Sequence, residues 1–399
     1  MSERIVLLAW EMGAGRGHAA RLLVLAQALK GAGWSPVVAA RDTSVMAAAY
    51  RSAGVPVLQA PGHKSLLRPG ERFSARSYAD IMAVCGYRNA EALEATVAAW
   101  DALIRRTHPG VIVADYCPIL PLAALGLAPV VTVGDGFVTP PGEAEAMPVL
   151  QRGSTALEAE AKLLANAAQV QRRRGLPEPR SLPSLAAGQR TVVCTFPELD
   201  IYGAARSQPA TGPLRVGPAP LKPAGPPGVF AYLAADYPGT SAALRAAADT
   251  GLPVEAFVRD APAELIQELT ARGLRVHREA PSLGEALGRA SVLLHHGGIG
   301  TAEEALFLGR PQVLLPRHIE QTLTARNLGR IGVGVRLPRD ASAADAVRLL
   351  HGAATSEKGA INARVVAQRL AGRRWESLER VLAACDELAI DGRGTGERA

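Results

Sequence analysis

Short, almost unbroken apolar runs alternate along the chain with longer stretches in which apolar residues recur every three or four positions. The runs RIVLLAW (4–10), PVVAARD (36–42), GVIVADY (110–116), APVVTVGD (128–135) and RTVVCTF (190–196) have the length and composition of strands. Strands apolar on both faces belong to a parallel sheet covered by helices, and AARLLVLAQALKGAG (19–33) is the first such helix. The alternation stops at LRVGPAPLKPAGPPG (214–228), where proline and glycine dominate and a linker is expected. It then resumes with GVFAYLA (228–234), LPVEAFVR (252–259), LRVHREA (274–280), ASVLLHH (290–296), RPQVLLP (310–316) and GVGVRLP (332–338). Segment 357–388 reads as helix, and DGRGTGERA at the end is expected to fray. The pattern predicts an α/β protein of two Rossmann-like α/β/α domains facing each other across a cleft. Their expected bounds are 1–213 and 229–370, joined by the linker 214–228 and followed by a C-terminal helix and tail over 371–399.

Candidate chemistry lies where strands run into helices, the edge at which open parallel sheets bind ligands. After the first strand comes EMGAGRGHAARLL, with Gly13, Gly15 and Gly17 followed by His18. The spacing is neither GxGxxG nor a P-loop, so it argues weakly for a dinucleotide, although Asp42 at the end of the second strand keeps that option open. His18 at a helix start suits a general base near neutral pH and equally suits an anchor for its own loop. Asp115, ending a strand of the same sheet, is a partner carboxylate or a loop anchor.

The second loop is SVLLHHGGIGTAEEALFLGRP (291–311). It reads as a buried strand, a glycine turn and a helix, with Thr301 and Glu304 spaced as a capping box. A capping box needs neither His295 and His296 nor the glycines Gly297, Gly298 and Gly300. Exposed amides at a helix start attract an anion, and a phosphate is the natural occupant. Neighbouring strand positions face opposite ways, so one of the two histidines is expected to be structural.

Composition narrows the partners. The 399 residues exceed what one core normally holds, and an apolar fraction of 48 % marks a globular chain. The net charge of +7 comes from scattered arginines, QRRRG (171–175) excepted, with no basic helix interleaved with aromatics. Nucleic acid is therefore not expected as a partner. Cys85, Cys117, Cys194 and Cys385 are far apart and form no metal-ligand spacing, which suits reduced thiols and no metal. No run approaches the ~20 apolar residues of a membrane span. A cytoplasmic protein is expected, with peripheral attachment to the inner face of the membrane left open by the basic charge, as a monomer or homodimer.

Residues 280–335, APSLGEALGRASVLLHHGGIGTAEEALFLGRPQVLLPRHIEQTLTARNLGRIGVGV, resemble the donor signature of family 1 glycosyltransferases of the GT-B fold, bacterial macrolide and natural-product type. GAGRGHAARLLVLAQALKGAGWSPVVAARD is similar to the start of that family's acceptor domain, and FPELDIYG…LRVGPAP to the stretch leading out of it. The resemblance implies an inverting, metal-independent sugar transfer. The donor would be a UDP- or TDP-sugar used as co-substrate, and the acceptor a small or lipid-like molecule. It implies that His296 and Thr301 contact the diphosphate beside Gly297, Gly298 and Gly300. Glu304 would bind ribose and Glu320-Gln321 the sugar hydroxyls, while His18 deprotonates the acceptor with Asp115 orienting it.

The sequence departs from the family at several places. Arg21 replaces the proline of H-x-x-P, and YLAADYPGTS replaces S-x-G-S, which could move a contact to Gly239, Thr240 or Ser241. Glu320 replaces an aspartate, and no tryptophan precedes Ala280-Pro281. These departures keep two alternatives alive: a catalytically silent nucleotide-sugar-binding protein and a sugar-nucleotide epimerase.

Overall fold

The computed structural model describes residues 4–13, 16–63, 65–71, 73–215, 220–221 and 226–396, and no side chain beyond residue 390. The chain divides into two compact units, 1–214 with 375–399, and 215–374. Parts of the expected linker, 216–219 and 222–225, lie outside the described residues.

The first unit holds six parallel strands: β1 (Ile5–Trp10), β2 (Ser35–Ala40), β3 (Val57–Gln59), β4 (Val111–Asp115), β5 (Val130–Gly134) and β6 (Arg190–Val193), in the order β3-β2-β1-β4-β5-β6. The sequence reading missed β3, a three-residue edge strand whose pattern is too short and too exposed to show periodicity. The second unit holds β7 (Val229–Ala234), β8 (Val254–Arg259), β9 (Arg275–His277), β10 (Val292–His295), β11 (Gln312–Leu314) and β12 (Gly334–Arg336). Their order, β12-β11-β10-β7-β8-β9, is the same doubly wound order when each unit is counted from its own first strand. In such a sheet the strand order reverses between the first and fourth strands, and the crevice beyond their carboxyl ends is where ligands bind. Here those pairs are β1/β4 and β7/β10, which hold Trp10 opposite Asp115 and His295 opposite Tyr232.

The C-terminal helix, Ser377–Gly396, runs into the segment expected to fray, and 397–399 lie outside the described residues. It belongs to the first unit. Val381, Ala384, Cys385 and Leu388 enter the core that also holds Val6, Leu8, Leu22 and Trp34. Asp386 accepts from Arg4 at 2.5 Å and from the Trp34 indole at 3.2 Å. Gly212, at φ 97°, leaves no room for a side chain under the ring of Trp375, which brings the returning chain against Phe196. The four cysteines are buried and free. The basic run at 172–174 is neutralised in place, with Arg172 on Glu178, Arg173 on Glu94 and Arg174 on Asp101. No helix among the described residues is long and apolar enough to cross a membrane.

All four tryptophans, Trp10, Trp34, Trp100 and Trp375, lie in the first unit, so indole fluorescence reports that unit alone. Val381→Ala removes buried methyl groups from its core and is expected to lower its unfolding free energy by about 2 kcal/mol. Urea titration followed by fluorescence checks this, with the fluorescence-silent unit serving as an internal control by circular dichroism.

Candidate active site

The helix Arg16–Gly31 starts just past β1 and carries His18 in its first turn and Arg21 one turn later. Residues three apart share a helix face, and this face meets the end of β4. His18 Nδ1 lies 3.1 Å from Asp115 Oδ2, while Arg21 Nη1 donates to Oδ1 at 2.8 Å. The Asp115 side chain is wholly inaccessible, whereas His18 and Arg21 keep 16 % and 13 % of theirs exposed. Burial pushes the Asp115 carboxyl up, but Arg21 and then His18 outweigh it and hold the group below the usual value of 3.8.

The surroundings are aromatic and tightly set. His18 stacks on Trp10 at 5.5 Å between ring centroids and has Tyr116 at 5.7 Å. Tyr116 itself stands at φ 53°, an uncommon backbone for a bulky residue, directly after Asp115. Its carbonyl accepts from Met12 N, tying the glycine loop to the end of β4. Gly13, at φ 88°, has the imidazole Nε2 where its side chain would be, so the close approach it permits is to His18 itself. Gly15 lies outside the described residues, and Gly17 faces open space. Asp42 accepts from the hydroxyl and amide of Ser44, closing its own turn, and the dinucleotide option loses its acid.

In the second unit β10 ends at His295, and Gly297, at φ 91°, turns the chain against the Gln321 carbonyl. The helix begins at Ile299 with Gly298 as its N-cap and no side chain capping it. This corrects the expected capping box. Thr301 stands inside the first turn rather than at the cap, so its hydroxyl and Glu304 cannot exchange cap bonds. The glycines moved the start of the helix three residues upstream and left its first amides without a side-chain acceptor. Gly298 and Gly300 have nothing near the positions their side chains would take. Glu304 is half-buried, and burial alone raises its carboxyl.

The histidines divide into two roles. His295 is buried, with Nε2 2.9 Å from Gln312 Oε1 and Nδ1 accepting from Gly297 N; burial lowers it to about 3. His296 was expected to touch phosphate, yet Nδ1 donates to Leu315 O at 2.9 Å and Nε2 accepts from Ala234 N at 3.0 Å. With both nitrogens bound to backbone, the ring has no N–H left for an anion and instead joins β7, β10 and the end of β11. Burial lowers its basicity too. Gln321 Oε1 accepts from Arg317 N at 2.8 Å, so this amide is engaged within its own turn, and Glu320 stands beside it on the helix Ile319–Arg330. Thr240 bonds Ala234 O and is fully buried, which removes it as a replacement ligand. Arg317 pairs with Asp236 at 2.6 Å and, with Arg339, lies over Tyr237. A cavity of about 560 Å³ in the first unit, along β6 and the C-terminal helix, is lined by none of these residues. Among the described residues no group of three His, Cys, Asp or Glu side chains is placed to hold a metal ion.

Comparisons with known proteins bear on the fold and on the second unit. Residues 272–373 match the family model described as "Erythromycin biosynthesis protein CIII-like, C-terminal domain". The NDP-glycosyltransferase YjiC of Bacillus subtilis is 34 % identical over 77 residues, 19 % of each chain, so the match spans about a fifth of that relative's length. The L-demethylnoviosyl transferase of Streptomyces niveus is 28 % identical over 352 residues, covering 82 % of this chain and 83 % of that one. The glycosyltransferase VinC, crystallised with DTDP, superposes with a TM-score of 0.67 at 18 % identity, over 97 % of this chain and 100 % of its own. The fold is GT-B. The family-model match lies within the second unit and runs from β9 past β12, taking in β10 and the helix that follows it.

Asp115→Asn leaves Arg21 without its counter-charge in a buried setting and is expected to cost about 3 kcal/mol at neutral pH. Because the folded carboxyl titrates below the unfolded one, its contribution is full above the ordinary aspartate range and is lost as pH falls through the folded value. The gap between wild type and Asp115→Asn should therefore narrow in acid. Tryptophan-monitored denaturation at stepped pH measures it.

Proposed function

We propose that this chain is an inverting glycosyltransferase that moves a sugar from a nucleoside-diphosphate sugar to a small-molecule or lipid-like acceptor. The observation that carries the reading is the His18–Asp115 pair, set at the β1/β4 switch point with Arg21 on the same carboxylate. In this mechanism His18 Nε2 takes the acceptor's hydroxyl proton, while the acceptor oxygen bonds to the anomeric carbon. The bond from that carbon to the diphosphate oxygen breaks, and its electron pair leaves with the diphosphate. One displacement inverts the anomeric centre. The imidazolium formed at His18 keeps its Nδ1 proton on Asp115.

The donor half of the proposal rests on the helix that starts at Ile299. Its uncapped amides and the Thr301 hydroxyl would take the diphosphate, stabilising the charge that grows on it as the bond breaks. Glu304, with a half-buried carboxylate, would accept from the ribose hydroxyls, and Glu320 with Gln321 would hold the sugar. His296 enters as the brace that keeps the surrounding loops in register. Support comes from the kinds of relative found: an NDP-glycosyltransferase, an L-demethylnoviosyl transferase and a glycosyltransferase bound to DTDP. Thymidine or uridine diphosphate is the nucleotide we infer, and a natural-product scaffold the acceptor. Placement in the cytoplasm, on the inner face of the membrane when the acceptor is lipid-like, is the finer form of the proposal. Sedimentation with anionic liposomes at low salt tests that part, and no binding there removes it.

A thermal-shift screen of UDP, TDP and GDP tests the donor site, with stabilisation by at least one expected and no response to any of them overturning the reading. Glu304→Gln should weaken that nucleotide about tenfold. His18→Ala should leave nucleotide binding intact and cut sugar transfer by ~10²–10⁴. Transfer that survives His18→Ala removes the residue from the base role. A silent binder would show the thermal shift with no turnover in the wild type.

A further inference from the structure

Arg21 stands where the resembled family has proline, and it occupies the second oxygen of the carboxylate that His18 uses. His18 and Arg21 sit three residues apart on one helix, and they reach Oδ2 and Oδ1 of Asp115 at 3.1 and 2.8 Å. Both lone-pair faces of a carboxylate with no solvent access are thus held from the same helix face. A proline at this position could donate nothing to either oxygen.

We propose that Arg21 is a positioning residue. It fixes the plane of the Asp115 carboxylate so that His18 keeps its proton on Nδ1 and presents Nε2, and its charge offsets that of the carboxylate. The role rests on the reading of His18 as base. It also recasts the loss of H-x-x-P, since the departure adds a third member to the pair rather than dismantling it. The isolated pair would stabilise an imidazolium with a full negative charge. The three-membered cluster is charge-balanced while His18 is neutral and carries one net positive charge once the proton arrives.

The other ionisable groups around the cluster do not obscure a test. Tyr50 couples to Asp115, and burial lifts its phenol out of reach. Cys194, near Arg21, is raised to about 11, and Cys117 well above its ordinary value. Arg41 donates to Gly13 O on the loop side. Glu11 accepts from Ile119 N and Leu120 N on the far side of Cys117, and burial raises it to about 8. Of these groups Glu11 alone ionises in the working range, and Glu11→Gln serves as its control.

The test is ¹⁵N-histidine NMR on the full chain, with the His18 resonances among the 8 histidines assigned by their loss in His18→Gln. Wild type should show a single neutral tautomer protonated at Nδ1. In Arg21→Met the two tautomers should mix, and the protonated ring should persist about one pH unit higher, since a like charge has been removed. Arg21→Gln keeps a donor without the charge and should hold the tautomer while showing the pH displacement. Arg21→Lys should preserve both. Unchanged tautomer and titration in folded Arg21→Met overturn the proposal. Should that variant not fold, unchanged titration in Arg21→Gln does the same. None of these readings uses donor or acceptor, so a failed nucleotide screen would sink the transferase reading without touching this one.

Discussion

A carboxylate sealed inside a parallel sheet is the constraint around which the first unit is arranged. Asp115 has no access to water, and removing an unpaired charge from water costs several kcal/mol. The charge is kept because two cationic or proton-donating side chains meet it from the helix after β1. That requirement fixes the helix start, the position of His18 in its first turn and the bare backbone at Gly13, where any side chain would displace the imidazole. It also explains the uncommon backbone of Tyr116, which turns the chain away immediately after the acid.

The second unit solves the opposite problem with the same topology. Among the described residues its crevice, between β7 and β10, has no buried acid to satisfy. It has a helix whose first amides lack a side-chain cap, left bare by glycines at 297, 298 and 300. Both units have histidine beyond the carboxyl edge of the sheet or at it, but the two use theirs differently. Among the described residues His18 is hydrogen-bonded through Nδ1 only and its side chain keeps some exposure, while His295 and His296 are bonded through both nitrogens. Pair geometry, not residue type, separates an imidazole bonded through one nitrogen from one bonded through both.

Much of this was legible in the chain. Eleven of the strands announced themselves as apolar runs, most plainly those buried on both faces such as β4, β5 and β10, which have no polar positions to blur them. β3 did not, since three half-exposed residues carry no period. The pairing of His18 with Asp115 was legible as a histidine at the start of the helix after β1 and an acid ending a strand of the same sheet. Arg21 was visible only as a departure from a motif, although the H-x-x-R spacing alone puts both side chains on one helix face. The capping box at Thr301 and Glu304 was misread for a local reason. The pattern T-x-x-E marks a helix start only when nothing upstream is already helical, and Gly298 began the turn earlier than the threonine could.

By itself the sequence determined the strand runs, the two-unit α/β architecture and the glycine loops, because these depend on local periodicity and on residues without side chains. Tertiary structure decided what each polar group does. Whether a histidine is free depends on carbonyls and amides that arrive from other strands, as Leu315 and Ala234 do for His296. The return of the last helix to the first unit was likewise invisible, since an apolar helix face does not name its core, and here that core holds Trp34 and Val6. Charge partners and packing partners lie far apart in the chain, and only the folded backbone brings them within reach.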